Sequence, residues 1–185
     1  MLYSFPRLFF LIYFVKKELM TQHLIKPKII LLVGMMGVGK TSLGRIIAGK
    51  LRLPFIDSDR EIESMTGFTI SDLFARYGEA EFRKGEERVM ARLLTGKPCV
   101  LSSGGGAFLS EATRLCAKKN AISVWIKAEA DVISGRTQGR THRPLVPAAD
   151  NQRIIERLVL ECYPVYAQAD ITIPSYDEHP SRTAV

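Results

Sequence analysis

Gly34-Met35-Met36-Gly37-Val38-Gly39-Lys40-Thr41 matches the pattern G-x-x-x-x-G-K-[ST] in full. Glycines at these positions let backbone N–H groups turn inward around phosphate oxygens, and a helix starting there presents its positive end to them. Lys40 then reaches the β- and γ-phosphates, and Thr41 offers its hydroxyl to Mg2+. The expected ligand is a nucleoside triphosphate with Mg2+. The motif alone does not say whether the γ-phosphate goes to water or to a small acceptor.

Phe55-Ile56-Asp57-Ser58-Asp59 narrows the choice. It places two carboxylates at the end of an apolar run, and a spacing of two directs both to one side. Two like charges there are costly unless a cation or hydrogen bonds hold them. The expected division of labour sets Asp57 toward Mg2+ or its waters and Asp59 toward an acceptor hydroxyl. Helix capping ahead of Glu61-Ile62-Glu63 is the plainer alternative for either aspartate. A third apolar run ends in Ser102-Ser103, where many phosphate-loop proteins carry a metal-side carboxylate, and this strengthens Asp57 in that role.

Three further features are ambiguous singly. Gly104-Gly105-Gly106 permits close backbone approach to a ligand, or simply a tight turn. Arg83, in Gly78-Glu79-Ala80-Glu81-Phe82-Arg83, reads alone as a surface arginine paired along a helix. The polar stretch from Arg136 to Pro147 contains Arg143-Pro144-Leu145 and has the composition of a mobile lid, about 137–147, whose arginine would neutralise charge on a transferred phosphoryl group.

The elements that must position these residues alternate. Apolar runs at Ile29 to Val33, Pro54 to Ile56, Cys99 to Leu101, Ala121 to Ile126 and Ile171 to Ile173 read as strands, most of them buried on both faces. Helical stripes recur at Leu43, Ile46, Ile47 and Leu51, at Ile70, Leu73, Phe74 and Tyr77, and at Ile154, Ile155, Leu158 and Val159. Gly78 and Gly96 are expected C-caps, and Ser71, Ser110 and Asp150 expected N-caps. The pattern predicts one α/β domain with a parallel sheet.

Composition agrees. The 185 residues are 46% hydrophobic and 24% charged, which excludes wholesale disorder. Cys99, Cys116 and Cys162 are too few and too scattered for a disulfide framework or a zinc site, and read as cytosolic thiols. The net charge of +7 favours anionic partners. No basic block or aromatic-basic motif points to nucleic acid. Residues 1–19 stand apart: the apolar run Leu8 to Val15 is too short for a membrane span of about 20 residues. The reading is an extension or a start at Met20, with no membrane role. Removing it takes away Arg7, Lys16, Lys17 and Glu18, which lowers the charge from +7 to +5. Residues 20–185 form the expected domain.

Taken together, the motifs resemble shikimate kinase, a small P-loop kinase family related to the nucleoside monophosphate kinases. The resemblance runs from about Ile29 to Ile173 and includes, beyond the segments above, Tyr163-Pro164-Val165-Tyr166. It implies a P-loop NTPase fold with a central five-stranded parallel sheet, helices on both faces and a mobile lid. It implies transfer of the ATP γ-phosphate to the 3-hydroxyl of shikimate, in chorismate and aromatic amino acid biosynthesis, by a cytoplasmic monomer that uses Mg2+. Position by position, Gly37, Val38, Gly39, Lys40, Thr41 and Ser42 would hold the phosphates, and Thr41 with Asp57 would organise Mg2+. Asp59 would bind the acceptor hydroxyls and help deprotonate one, Arg83 would face the acceptor carboxylate, and Gly105 would add a backbone contact. Lys40, Asp59 and Arg143 would be the catalytic set, with Arg143 on the transferred phosphate and Arg136 on the adenine.

The chain departs from the family pattern at Cys162, where a second carboxylate-binding arginine is usual. A thiol is neither a strong donor nor a fixed cation at neutral pH. Arg157 lies five residues upstream, about 140° around a helix, and points elsewhere. Loss of one charge-assisted hydrogen bond is expected to cost about 1.5 to 3 kcal/mol, or roughly ten- to a hundredfold in affinity. A raised KM for shikimate is therefore expected. In the short tail from Ser175, the family's adenine-side basic residue is not evident among Asp177, Glu178 and His179. The alternatives are another small-molecule P-loop kinase, gluconate-like, or a non-catalytic nucleotide- or shikimate-binding relative weakened at Cys162.

Overall fold

The computed structural model describes residues 29–137 and 151–175. Residues 1–19, Asp150, Arg143 with nearly all of the expected lid, and the tail beyond Ser175 lie outside the described residues.

Five strands make one all-parallel sheet in the order β2-β3-β1-β4-β5. β1 (Ile29–Val33) is at its centre and buried along its whole length, as a run of five consecutive apolar residues requires. It pairs in register with β3 (Val100–Ser102) through Leu31 and Leu101, and with β4 (Ala121–Lys127) through Leu31 and Ser123. β2 (Phe55–Asp57) and β5 (Ile171–Pro174) are the edges.

The expected β2 and β3 each shift forward by one residue for a backbone reason. Pro54 has no N–H to give to a ladder, but its carbonyl still accepts from Val100 N at 2.9 Å. Cys99 contributes only its carbonyl, to Ile30 N. The shift brings Asp57 and Ser102 into the strand ends, opposite each other.

The helices are α1 (Lys40–Leu51), α2 (Ser58–Thr66), α3 (Ile70–Leu94), α4 (Glu111–Asn120), α5 (Ala130–Thr137) and α6 (Asn151–Tyr166). Ser110 caps α4 as expected, accepting from Thr113 N. Ser71 does not cap α3. Thr69 does, in a reciprocal box: its Oγ1 accepts from Asp72 N and the Asp72 carboxylate accepts from Thr69 N, satisfying two end donors at once. Gly78 ends the first of two helical segments joined in α3 across a kink, at φ 75° and ψ 167°, as a C-terminal glycine is expected to. That region is open essentially to glycine alone. The chain resumes a helix at once, so Glu79 opens a second segment that carries Arg83 and Glu86 on one side. Gly96 follows Thr95 at the helix end, and its N–H bonds Leu93 O.

The core packs both faces of the sheet, with Leu31, Leu32, Leu101, Val124, Ile126, Ile133 and Ile155 fully or almost fully buried. A smaller cluster, Ile62, Leu73 and Phe82, joins α2 to α3 beside the end of β2. It holds the acidic helix start and the Arg83 helix against each other.

Candidate active site

In an open parallel sheet, ligands gather at the carboxyl ends of the strands. The phosphate loop, the aspartate pair and the glycine run land there. Gly34 follows β1, Asp57 ends β2, Ser103 and the glycine run follow β3, and Lys127 ends β4.

The phosphate loop joins β1 to α1. Gly39 stands at the N-cap of α1 with φ 95°, a left-handed conformation that turns the loop back on the helix start. No side chain caps this end, so the first N–H groups of α1 face the loop. Lys40 is 9% exposed, and its Nζ donates to Gly34 O at 2.8 Å and Met35 O at 2.9 Å, which folds the ammonium over the cradle. Val38 in the loop is buried and Ser42 in the first turn of α1 is exposed.

Arg136 comes to this loop from α5. Its Nη1 donates to Ser175 Oγ at 3.0 Å, and that hydroxyl donates to Val38 O. Sequence reasoning missed Ser175, which ties the end of β5 to the phosphate loop through one short side chain.

Asp57 serves two purposes at once. Its Oδ1 accepts from Asp59 N at 3.2 Å as the N-cap of α2, and its Oδ2 accepts from Thr41 Oγ1 at 2.9 Å. The capping alternative and the metal-side reading therefore describe different oxygens of one carboxylate. An octahedral Mg2+ with bonds of 2.0–2.1 Å sets neighbouring oxygens roughly 3 Å apart, so the Thr41 and Asp57 oxygens fit that ion. Among the described residues, no group of three or more His, Cys, Asp or Glu side chains competes as a metal site.

The expected acceptor residues gather around the glycine run. A Cβ on Gly104 would lie 2.5 Å from Asp59 Oδ1 and 2.7 Å from Glu86 Oε1. A Cβ on Gly106 would overlap the Arg83 guanidinium. Gly104 and Gly106 thus leave the space that the two carboxylates and the arginine fill, while a Cβ on Gly105 would meet only ordinary contact. Gly104 N donates to the buried Ser58 Oγ, which fixes the run to α2. Tyr166 donates its hydroxyl to Gly105 O, and Tyr163 donates to Ala128 O. The Tyr-Pro-Val-Tyr segment accordingly anchors the glycine run and the end of β4.

Arg83 donates Nη1 to Glu86 at 2.7 Å, and Nε and Nη2 to Glu79 at 3.3 and 3.0 Å. Its guanidinium also lies 5.5 and 5.3 Å from the Phe74 and Phe82 ring centres. Burial works against its charge, but Glu86 and Glu79 outweigh that and raise its pKa. Glu86 was not foreseen. It is 3% exposed, and burial pushes its carboxyl above the ordinary range, while Arg83 pulls it back and the nearby Asp59 and Glu79 push it further up. The available signal was its spacing of three from Arg83 on a helix.

Cys162 is buried one helical turn before Tyr166 on α6. Burial raises its thiol pKa, as does Glu161, whereas a hydrogen bond with Tyr166 and the field of Arg83 lower it. Position 162 therefore lies within electrostatic reach of Arg83. Arg157 is exposed and paired with Glu161 at 3.1 Å, turned away as expected.

A glycine-rich loop between the central strand and α1, with its lysine, its Thr–Asp pair and an acceptor niche across the same sheet edge, defines a P-loop phosphotransferase. The sequence model of the shikimate kinase family matches residues 36–185. A shikimate kinase of Paramagnetospirillum magneticum is 51% identical over 156 residues, 84% of this chain and 80% of the relative. One from Bradyrhizobium diazoefficiens is 53% identical over 148 residues, covering 80% and 72%. Among solved structures, shikimate kinase from Acinetobacter baumannii in complex with shikimate superposes with a TM-score of 0.80 at 35% identity, covering 84% of this chain and 87% of that one. The chain belongs to the shikimate kinase family. A gluconokinase from Sinorhizobium meliloti, at 17% identity and a TM-score of 0.56, shares the fold alone.

Proposed function

We propose that this protein transfers the γ-phosphate of ATP to the 3-hydroxyl of shikimate, giving shikimate 3-phosphate and ADP. The observation that carries the reading is the pairing, across one glycine run, of a hydroxyl-directed carboxylate with a carboxylate-directed arginine: Asp59 at Gly104 and Arg83 at Gly106. A polyol that bears a carboxylate needs both.

Lys40 and the N–H groups of Gly37, Val38, Gly39, Thr41 and Ser42 bind the triphosphate, with Arg136 at the adenine side and Arg143 on the transferred group. Thr41 and Asp57 would hold Mg2+, which when bound would shield the charge of the β- and γ-phosphates. Arg83 and Gly105 orient the acceptor. Asp59 accepts the hydroxyl proton as the acceptor oxygen bonds to the γ-phosphorus, the bond to the β–γ bridging oxygen breaks, and ADP departs with that electron pair. The other described groups position: Glu86 holds Arg83, and Tyr166 holds Gly105.

No helix among the described residues is long and apolar enough to cross a membrane. A cytoplasmic monomer acting on small molecules, without nucleic acid, fits the net charge of +7 with two anionic substrates. A coupled ADP-release assay with shikimate, gluconate and AMP tests the reading. Turnover with shikimate alone is expected; turnover with gluconate or AMP in its place would overturn it.

A further inference from the structure

Arg83 presents its Nε and Nη2 donors as a fork, the arrangement that grips a carboxylate most firmly. In the structure a single oxygen of Glu79 takes both donors, at 3.3 and 3.0 Å, while Glu86 takes Nη1. The two glutamates differ in what holds them. The Glu86 side chain is 3% exposed, packed at Gly104 beside Asp59, and has no room to leave. The Glu79 side chain is 56% exposed and is the first residue past the Gly78 break, so it swings into water at little cost. Cys162, buried and with its thiol pKa raised by burial, lies within electrostatic reach of Arg83 and adds no cation there.

We propose that Glu79 is a placeholder carboxylate: it occupies the fork of Arg83 until the carboxylate of the acceptor displaces it, and thereby sets the affinity for an anionic acceptor. The inference rests on the shikimate reading and adds a specificity-setting residue to it. Glu79 acts through Arg83 and touches no reacting atom. Its removal leaves the fork open and takes one negative charge away from an incoming anion. The effect belongs to acceptor binding and to acceptors that carry a carboxylate. An exposed helix pair one turn apart with only a structural role would instead shift stability and leave KM alone.

The test is steady-state kinetics of the full chain and its Glu79→Gln variant at saturating ATP, with shikimate and with its uncharged methyl ester as acceptors. The KM for shikimate is expected to fall about two- to fivefold, the range set by an exposed ion pair, with kcat and the KM for ATP retained. The KM for the methyl ester should not move. A Glu79→Asp variant, which keeps the charge on a shorter arm, should fall between the two proteins. An unchanged or raised KM for shikimate in both variants overturns the placeholder, as does an equal fall for acid and ester. Absence of shikimate turnover in the unsubstituted protein would instead sink the underlying reading, so the two failures are distinct.

Discussion

At the residue scale the acceptor end is a small set of charges in unequal surroundings. Glu86 is the clearest case. Its carboxyl is buried beside another acid, so the folded state holds its proton more tightly than the unfolded chain does. The protonated form therefore contributes stability below the ordinary value of 4.5, and this contribution is lost as pH rises through the raised folded pKa. Urea denaturation should show the wild type losing stability relative to Glu86→Gln as pH climbs from below 4.5 into the neutral range. Parallel pH profiles for the two proteins would mean that Glu86 does not titrate differently on folding. Cys162 supports a second prediction. An arginine there would stand one turn before Tyr166, within electrostatic reach of Arg83, and would add a second cation for the proposed acceptor carboxylate. Cys162→Arg is expected to lower the KM for shikimate roughly ten- to a hundredfold, the worth of one charge-assisted hydrogen bond. If KM stays where it is, position 162 lies outside the acceptor pocket.

At the element scale the instructive feature is the break at Gly78. The helical stripe ahead of it, Ile70 to Tyr77, was plain in the sequence, a charged helix was read around Arg83 beyond it, and a glycine between the two reads as an end. What the sequence does not display is that the second stretch begins with no loop at all, because that depends on φ and ψ of a single residue. The same limit hid Thr69 as the cap of α3: a threonine and an aspartate three apart compete with a serine between them, and only their reciprocal bonds decide it. The break has a mechanical consequence. It sets where Glu79, Arg83 and Glu86 face, while the space around Gly78 is open, so a substitution there acts through backbone strain and not through a clash. Gly78→Ala is predicted to cost about 1–3 kcal/mol, seen as a lower urea midpoint. It should raise the KM for shikimate more than that for ATP, since the phosphate loop is carried by other elements. An equal rise in both would show that the strain spreads across the whole sheet edge.

At the scale of the whole molecule, the sheet order explains why the phosphate end was legible in advance and the acceptor end only in part. Gly34 to Thr41 is one continuous segment, so its chemistry is written in consecutive residues. The expected acceptor niche draws Asp59, Arg83, Glu86 and Gly104 from α2, α3 and the β3 turn, which meet only once β2, β3 and β1 lie side by side. Arg83 could be placed from its family motif, whereas Glu86 and Ser175 needed the folded neighbours. The same convergence places the chain's one tryptophan in a position to report on the fold's function. Trp125 lies near the end of β4, 5% exposed, next to β1, and a Cβ on Gly34 would lie 3.3 Å from its Cδ1. Its ring is 4.9 Å from that of Tyr163 and 6.1 Å from that of Tyr166, the residue that holds Gly105. The indole thus touches the start of the phosphate loop on one side and the anchor of the acceptor niche on the other. Its emission is predicted to be that of a buried indole and to change saturably when ATP and Mg2+ are added, through the backbone of Gly34. A second change is expected with shikimate, transmitted by Tyr166, and Tyr166→Phe should diminish the second response while sparing the first. Tryptophan fluorescence titration of the wild type and of that variant, with turnover measured on the same samples, checks both. An emission spectrum that stays constant while the protein is catalysing would show that neither the loop nor the glycine run moves against the core.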